Sequence, residues 1–212
     1  DNNSTNGTRL QDVSDQIGDF PVKLLVTSES NCLDSISQTI SIYPLPSTQL
    51  LADNLEACQE ACVNFDVNTT ITSGTIDQIE SYIDGNSSLY NNPIFEHCFQ
   101  DSGRFTVIVE AISDQGCSVI DTFLNFIQIN PFPEANYTID HFCLNDTITL
   151  SADTNYTVNT NATYAWKYNN NLSIGPEINE IPSQIGSQSL RLIVTSSDGC
   201  LDSITQNITI DP

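Results

Sequence analysis

The seven cysteines of this chain are the residues with the clearest chemistry. The two closest, Cys58 and Cys62, are separated by three residues, and no histidine cluster lies near them. Zinc sites usually take their ligands from tight cysteine pairs, so this spacing argues against zinc. The cysteines instead predict disulfide bonds formed in an oxidising compartment. Because their number is odd, at least one thiol is free or has a partner outside this segment.

Residues that could perform catalysis are few. The chain has two histidines, His97 and His141, and they lie in different parts of the sequence. General-base and nucleophilic catalysis usually depend on a positioned histidine or lysine. The sequence contains no Gly-x-Ser-x-Gly, His-Glu-x-x-His or P-loop motif. We therefore expect a protein that is not an enzyme.

The charge of the chain restricts its partners. Its formal net charge is −22, from 27 Asp and Glu residues against 5 Lys and Arg residues. Nucleic acids and anionic membranes bind clustered cations, so neither is expected as a partner. No apolar run approaches the roughly 20 residues of a membrane span, and we expect none in this segment.

Two oxygen-rich turns are candidate metal sites, Asp84-Gly85-Asn86 and Asp198-Gly199. Carboxylate and carbonyl oxygens are the ligands that Ca²⁺ prefers. EF-hand spacing does not occur, and an ordinary polar turn explains both segments. We expect no resident cofactor, with Ca²⁺ at these turns as the alternative.

A common pattern occurs three times, at residues 26–44, 109–131 and 194–212. Each copy contains a cysteine, then Asp-Ser or Asp-Thr before an apolar residue, and each ends on proline. The closing prolines are 87 and 81 residues apart. We therefore predict the C-terminal part of one domain at 1–44 and whole domains at 45–131 and 132–212.

Each copy alternates apolar and polar residues on both sides of a turn, which is typical of a β-hairpin. The turns contain Asn31, Gly116 and Gly199, residue types that tolerate a positive φ. The segments 44–46 and 131–133 read Pro-x-Pro and predict short, stiff linkers. Because no long helical pattern is present, we predict an all-β chain of tandem immunoglobulin-like β-sandwich domains.

The same alternation predicts the side chains of the core. We expect the following to be buried: Val63, Phe65, Val107, Val109, Ile148, Trp166, Leu192 and Val194.

The order of these motifs matches a known kind of repeat. A turn cysteine precedes an apolar strand at 58–65, an aromatic strand reads Tyr164-Ala-Trp166-Lys-Tyr168, and the closing hairpin reads Gly199-Cys200-Leu-Asp202-Ser203. In these motifs the chain resembles the PKD-type immunoglobulin-like domains of Bacteroidota cell-surface and type IX-secreted proteins. The resemblance implies an extracellular, cell-surface location and a core-edge or hydrogen-bonding role for His97. In the second repeat, residues 81–85 are expected to replace the tryptophan strand.

The resemblance also implies a glycosylation code, in which sugar is O-linked at Asp-Ser or Asp-Thr before an apolar residue. This pattern occurs at Ser35, Thr122, Thr147 and Ser203, and three of the four lie on the same strand of successive repeats. The alternative is an ordinary hydroxyl on an edge strand.

Cys62 and Cys98 are extra cysteines of the second repeat. The third repeat has Thr147 at the first position and no cysteine at the second. We predict that they form a disulfide, since a residue on the second strand and one just before the penultimate strand can face each other across a sandwich core. A bond of this kind typically contributes about 2–4 kcal/mol.

The other cysteines lie at two kinds of turn, Cys58 and Cys143 between the first two strands of a domain and Cys32, Cys117 and Cys200 in the final hairpin. In an immunoglobulin-like sandwich these turns lie at opposite ends. A strand of about 6 residues spans about 20 Å, whereas bridged Cα atoms lie within about 7 Å. We therefore predict a bond between domains, Cys58–Cys200, and expect Cys32, Cys117 and Cys143 to have partners in neighbouring repeats.

Two classes of function remain. The first is a structural or adhesive segment of a long cell-surface protein, forming a stalk or, with other copies, a filament. The second is a set of spacer or polysaccharide-binding accessory domains of a larger secreted enzyme. A carbohydrate binder should expose aromatic side chains, and the single tryptophan is predicted to lie in the core. The sequence therefore favours the stalk.

Overall fold

The computed structural model describes residues 7, 16–84, 89–138, 142–154, 161–169 and 171–212. The described residues form strands and no α-helix, which confirms the all-β prediction. The strands are β1 Gly18–Thr27, β2 Leu33–Ile42, β3 Ser47–Ala52, β4 Glu56–Cys58, β5 Cys62–Thr70, β6 Ile76–Ile83, β7 Leu89–Tyr90, β8 Ile94–Cys98, β9 Gly103–Ser113, β10 Ser118–Asn130, β11 Phe142–Cys143, β12 Ile148–Ser151, β13 Thr163–Tyr168, β14 Asn171–Ile174, β15 Glu177–Glu180, β16 Gly186–Thr195 and β17 Leu201–Asp211.

Strands β3 to β10 fall within the second predicted repeat. They form one sheet of order β3-β5-β8 and another of order β4-β10-β9-β6-β7. The short strand β4 runs parallel to the end of β10 and places Cys58 opposite Asn130.

The third repeat has the same topology. Its larger sheet has the order β11-β17-β16-β13-β14, and β12 pairs with β15. A bridge between Tyr137 and Ala152 takes the place of β3. Strand β11 runs parallel to the end of β17 and places Cys143 opposite Asp211. The elements of the two repeats thus correspond one to one, as immunoglobulin-like β-sandwiches.

The core of the third repeat lies between its two sheets. Ile148 of the smaller sheet and Leu192 of the larger one belong to the same buried cluster. Trp166 is fully buried, meets the Tyr137 ring edge-on at 5.1 Å and donates from Nε1 to the Gly175 carbonyl at 3.0 Å. This bond removes the penalty of burying an unpaired N–H group.

Every side chain predicted to be buried is at most 2 % exposed, which confirms the core prediction. In the second repeat, β6 holds the place in the sheet that β13 holds in the third. The strand that was expected to replace the tryptophan strand therefore does so, with Ser81 and Ile83 buried. Gly85, the last residue of that expected segment, lies outside the described residues.

The hairpin of β1 and β2 has the register of β16 and β17 but a different environment. Leu24 pairs with Ile36 as Leu192 pairs with Ile204. Leu24 and Ile36 are exposed, whereas Leu192 is buried. The hairpin therefore has the sequence pattern and register of a strand pair in a β-sandwich, but its apolar face is exposed.

The chain divides into two compact units. The first consists of residues 1–51, 66–94 and 108–122, and the second of 52–65, 95–107 and 123–212. Strands β3, β5, β8, β9 and β10 have residues in both units. The units therefore do not follow the predicted repeats, and the boundaries near residues 44 and 131 stay a prediction. In the part of the chain that the structure describes, no helix has the length and apolarity to cross a membrane.

Two equivalent valines test the burial of the repeated hairpin. Val194 pairs with Asp202 and is 1 % exposed, whereas Val26 pairs with Asp34 and is 54 % exposed. We expect Val194→Ala to lower the free energy of unfolding by about 1.5–3 kcal/mol, because it removes buried apolar surface. Val26→Ala should change it by less than about 0.5 kcal/mol. Urea unfolding followed by Trp166 fluorescence measures both, and equal losses would contradict the assignment.

Candidate functional site

The closing hairpin places its cysteine in the same way in all three copies. A serine four residues earlier accepts a hydrogen bond through Oγ from the cysteine N–H at 3.1 Å, and its own N–H donates to the cysteine carbonyl at 2.9 Å. The pairs are Ser28 with Cys32, Ser113 with Cys117, and Ser196 with Cys200. The residue before each cysteine has a positive φ, which favours asparagine or glycine there.

The turn after the first short strand also has one geometry in two copies. Cys58 and Cys143 each lie opposite the last residue of the final strand of their own repeat. Two residues later, Glu60 and Asn145 have φ values of 63° and 64°. The carbonyl of each cysteine then accepts a hydrogen bond from the N–H three residues on, at 3.2 and 3.3 Å. The two turns therefore present their cysteines alike.

One turn and one hairpin meet. Cys58 and Cys200 form a disulfide with Sγ atoms 2.04 Å and Cα atoms 5.7 Å apart. Cys200 is 1 % exposed, and its Sγ lies 3.9 Å from the Asn130 carbonyl oxygen. The structure thus joins the two cysteines that the sequence predicted as a bond between repeats. It does not join Cys58 to Cys117.

Three thiols are free: Cys32 and Cys143, which are exposed, and Cys117, which is half-buried. The predicted partners of these cysteines lie in neighbouring repeats, and that prediction stays open.

Cys62 and Cys98 also form a disulfide, with Cα atoms 3.9 Å apart. They lie at the start of β5 and the end of β8, which are neighbours in one sheet. Both residues are exposed. The pair was predicted correctly but its location was wrong, because the bond joins adjacent strands on the outer face of a sheet and does not cross the core.

His97 lies beside this bond in an aromatic group. Its ring meets Phe99 edge-on at 4.5 Å, and Phe99 lies 4.6 Å from Phe105. Partial burial lowers the pKa of the His97 imidazole below its ordinary value. His97 is half-buried and packs against Phe99, so it lies at the edge of the core, one of the two roles that the resemblance implied. His141 lies outside the described residues.

The predicted glycosylation positions are all exposed: Ser35, Thr122, Thr147 and Ser203. Beside two of them, the preceding aspartate accepts a hydrogen bond from the backbone N–H, at 2.8 Å for Ser35 and 2.7 Å for Ser203. Ser203 Oγ also accepts a hydrogen bond from Arg191 at 2.9 Å. The structure shows accessible hydroxyls, and modification of them stays a prediction.

The aspartates of this motif also anchor the start of a repeat. Asp202 Oδ2 accepts a hydrogen bond from the Ala135 N–H at 2.7 Å. Asp121 Oδ2 accepts one from the hydroxyl of Thr48. Thr48 and Ala135 each lie two residues after the second proline of a Pro-x-Pro linker. The beginning of the second and of the third repeat is therefore tied to the last strand of the same repeat.

A polar cleft of about 510 Å³ lies near the end of β10, with Glu56, Arg104, Gln128 and Asp198 among its lining residues. Gln128 Oε1 is buried and accepts no hydrogen bond from the described residues. No aromatic side chain is among the described residues that line the cleft.

Within the described residues, no three acidic, histidine or cysteine side chains gather as a metal site would require. Of the turn at 84–86, Gly85 and Asn86 lie outside the described residues.

Sequence reasoning missed the serine that orients each hairpin cysteine. The signal was present, because a serine stands four residues before the cysteine in all three copies. It also missed the backbone conformation at Glu60, whose residue type gives no hint of a positive φ.

Comparisons with known proteins show likeness in structure only. No family model matches the chain, and no curated protein sequence matches it. The fibronectin(III)-like modules of Clostridium thermocellum CbhA have 10 % identity and a TM-score of 0.37, over 77 % of this chain and 94 % of theirs. A 1.5-MDa bacterial ice-binding adhesin has 11 % identity and a TM-score of 0.42, over 93 % and 76 %. Carbohydrate-binding modules of the β-sandwich superfamily have 16 % identity and a TM-score of 0.39, over 70 % and 58 %. Values this low do not imply a shared function.

The two disulfides should differ in what they contribute to stability. The Cys58–Cys200 bond spans 142 residues and the Cys62–Cys98 bond spans 36. In the chain-entropy model the longer loop stabilises more, so Cys58→Ala/Cys200→Ala should cost about 1 kcal/mol more than Cys62→Ala/Cys98→Ala. Each loss should lie within about 2–5 kcal/mol.

Chemical denaturation of the two double variants provides the comparison, with Cys143→Ala as a control for an exposed cysteine. The control should remain within about 0.5 kcal/mol of the parent. A larger loss from the shorter loop would show that chain entropy does not set the order.

Proposed function

We propose that this chain is a structural or adhesive repeat segment of a long extracellular cell-surface protein, with no catalytic role. The observation that carries the proposal is the Cys58–Cys200 bond, which ties the first turn of one repeat to the closing hairpin of the next. Because this bond joins two repeats, it does not shape a ligand-binding pocket inside either domain. It limits how far two successive domains can separate when the chain is pulled.

The linker between these repeats is held at further points. The Phe132 N–H donates to Gln59 Oε1 at 3.0 Å, and the Gln59 N–H donates to the Asn130 carbonyl at 2.9 Å. Pro133 is buried, and Ala135 is bonded to Asp202. A linker with these contacts has few conformations, so the joint supports a stiff segment better than a flexible tether.

The side chains argue against polysaccharide binding as the main role. Trp166, the only tryptophan, is fully buried. The cleft near β10 has no aromatic side chain among its described lining. Sugar rings are generally bound on exposed aromatic faces, and neither Trp166 nor the described lining of this cleft supplies one.

An extracellular location is supported by the two disulfides, because such bonds persist mainly in oxidising compartments. The acidic composition favours solubility outside the cell. The motifs 58–65, 164–168 and 199–203 support a PKD-type repeat of a Bacteroidota surface protein as the finer identity.

Stretching the chain from its ends tests the proposed role. With the Cys58–Cys200 bond intact, the 142 residues that it spans are protected from extension. At about 3.4 Å per residue, reduction should add about 480 Å of contour length. Single-molecule force spectroscopy with and without a reductant measures the difference.

The double variant Cys58→Ala/Cys200→Ala is the control. Without reductant it keeps the Cys62–Cys98 bond, which spans 36 residues, so it should show about 360 Å of the added contour length and the rest after reduction. If the oxidised chain extended to the same length as this variant, the bond would not hold the repeats together. Tight binding to a polysaccharide panel together with that result would favour the accessory role.

We also propose O-linked sugar on Ser35, Thr122, Thr147 and Ser203. Three of them lie on the last strand of a repeat. At Ser203 that strand pairs with β16, and its other neighbour, β11, reaches only Ile210 and Asp211. Glycans there would prevent pairing with another strand edge.

Glycopeptide mass spectrometry of protein from the native host should find all four modified. Thr209, exposed on β17 without a preceding aspartate, is the control and should be bare. Four unmodified peptides would refute the proposal.

A further inference from the structure

The outward side of the larger sheet in the third repeat differs in charge from the chain as a whole. On β13, β16 and β17 the odd-numbered residues of 163–167, 187–195 and 201–209 alternate with buried side chains and point away from the core, as do residues 172 and 174 of β14. These side chains form the outward face of the third repeat. Hydroxyl groups are the commonest polar groups among them, and none is an aspartate or glutamate. In a chain with 27 acidic residues, this face is free of carboxylates.

Two of the five Lys and Arg residues of the chain lie opposite each other on this face. Lys167 of β13 pairs with Arg191 of β16, and both side chains are exposed. Side chains in such a pair have Cβ atoms about 4.5–5.5 Å apart, and like charges there repel each other. On its other side Arg191 pairs with Thr205, and its guanidinium donates to Ser203 Oγ at 2.9 Å. The sheet therefore holds two cations together, and the described residues of the face supply no carboxylate to neutralise them.

The second repeat shows that the fold does not require this charge pattern. Counted back from the serine of each closing hairpin, Ile108 stands at the position of Arg191, and Glu110 stands at that of Ile193. The same sheet position thus accepts an aliphatic residue in place of the cation, and a carboxylate close by. The paired cations are a property of the third repeat and need a reason other than folding.

We propose that the outward face of the third repeat binds an acidic polysaccharide, with Lys167 and Arg191 together holding one carboxylate or sulfate group. An arginine guanidinium binds an oxyanion through two parallel hydrogen bonds, and a lysine ammonium adds a point charge. The exposed hydroxyls of Ser189 and Thr205, on the same face, donate to and accept from sugar hydroxyls. This inference rests on the proposed function, because it names the ligand of an adhesive repeat.

Charge density distinguishes this ligand from other polyanions. Duplex DNA carries one negative charge per ~1.7 Å of its axis. The net charge of −22 repels such a polymer, and two cations do not compensate for it. A polysaccharide with at most one acidic group per sugar ring carries its charges further apart, so one group meets the cations while neutral hydroxyls meet the rest of the face. An acidic peptide brings the same carboxylate without these hydroxyls.

Binding at this face should be weak and should depend on salt. The outward face has no aromatic side chain among its described residues, so charge and hydrogen bonds carry the interaction. Both cations are exposed, and salt screens exposed charges. We therefore expect the affinity to fall at least about tenfold between about 0.05 M and about 0.5 M salt.

Binding of the full chain to immobilised polygalacturonate and dextran sulfate tests the proposal, with neutral dextran as the blank. The chain is produced without glycans, because sugar on Ser203 would cover Arg191. We expect binding to at least one acidic polymer and none to dextran; polygalacturonate alone identifies a uronate ligand, and dextran sulfate alone a sulfated one. Lys167→Gln/Arg191→Gln should lower the affinity at least about tenfold, whereas Lys167→Arg should keep it within about twofold.

The matched control is Lys23→Gln/Arg104→Gln, which removes the same charge from two exposed residues elsewhere. It should change the affinity less than about twofold. An equal loss in both double variants, binding to polyglutamate as tight as to the polysaccharides, or no binding to either acidic polysaccharide would overturn the inference. Urea unfolding followed by Trp166 fluorescence verifies that each variant is folded. The stretching experiment reports on Cys58–Cys200 alone, so a failure of this binding and a failure of the structural role are distinguishable.

Discussion

The parallel pairing of a short turn strand with the end of the last strand determines where the covalent chemistry of this chain occurs. In the second repeat it places Cys58 opposite Asn130, directly before the Pro131 linker. The turn cysteine therefore lies where the chain leaves for the next repeat. The hairpin of that next repeat is within bonding distance, and Cys200 is buried there. This pairing, together with the Phe132–Gln59 hydrogen bond, fixes the turn next to the linker that leads to the hairpin.

Much of the fold could be predicted because its signals are local. Strand alternation identified the buried faces, and three copies of one hairpin motif predicted the repeats. The Cys62–Cys98 location failed because adjacency of β5 and β8 is not a local property. A local signal was nevertheless available. Cys62 alternates with Val63 and Phe65, which are buried, so a strict period of two assigns it to the outer face.

The candidate site was predictable in its residues and less so in its geometry. The cysteines and their hairpins are visible in the sequence, but the bonds made by Ser28, Ser113 and Ser196 become evident only when the backbone is known. A serine in a turn has many possible hydrogen-bond partners. The positive φ of Glu60 is equally hard to predict from sequence, because the residue type does not favour it. Such features depend on tertiary structure, which no local pattern encodes.

The two repeats differ most in their cores and agree most at their ends. Trp166 is the fully buried centre of β13, whereas β6 has the buried Ser81 and Ile83. Cores of different composition can fill the same fold if their total volume is kept. A disulfide is less tolerant, because its Cα atoms must lie within about 7 Å in a defined orientation. A chain whose repeats are joined through their ends can therefore vary its interior while the turns and hairpins stay alike. This accounts for the similarity in sequence of the closing hairpin among the three repeats.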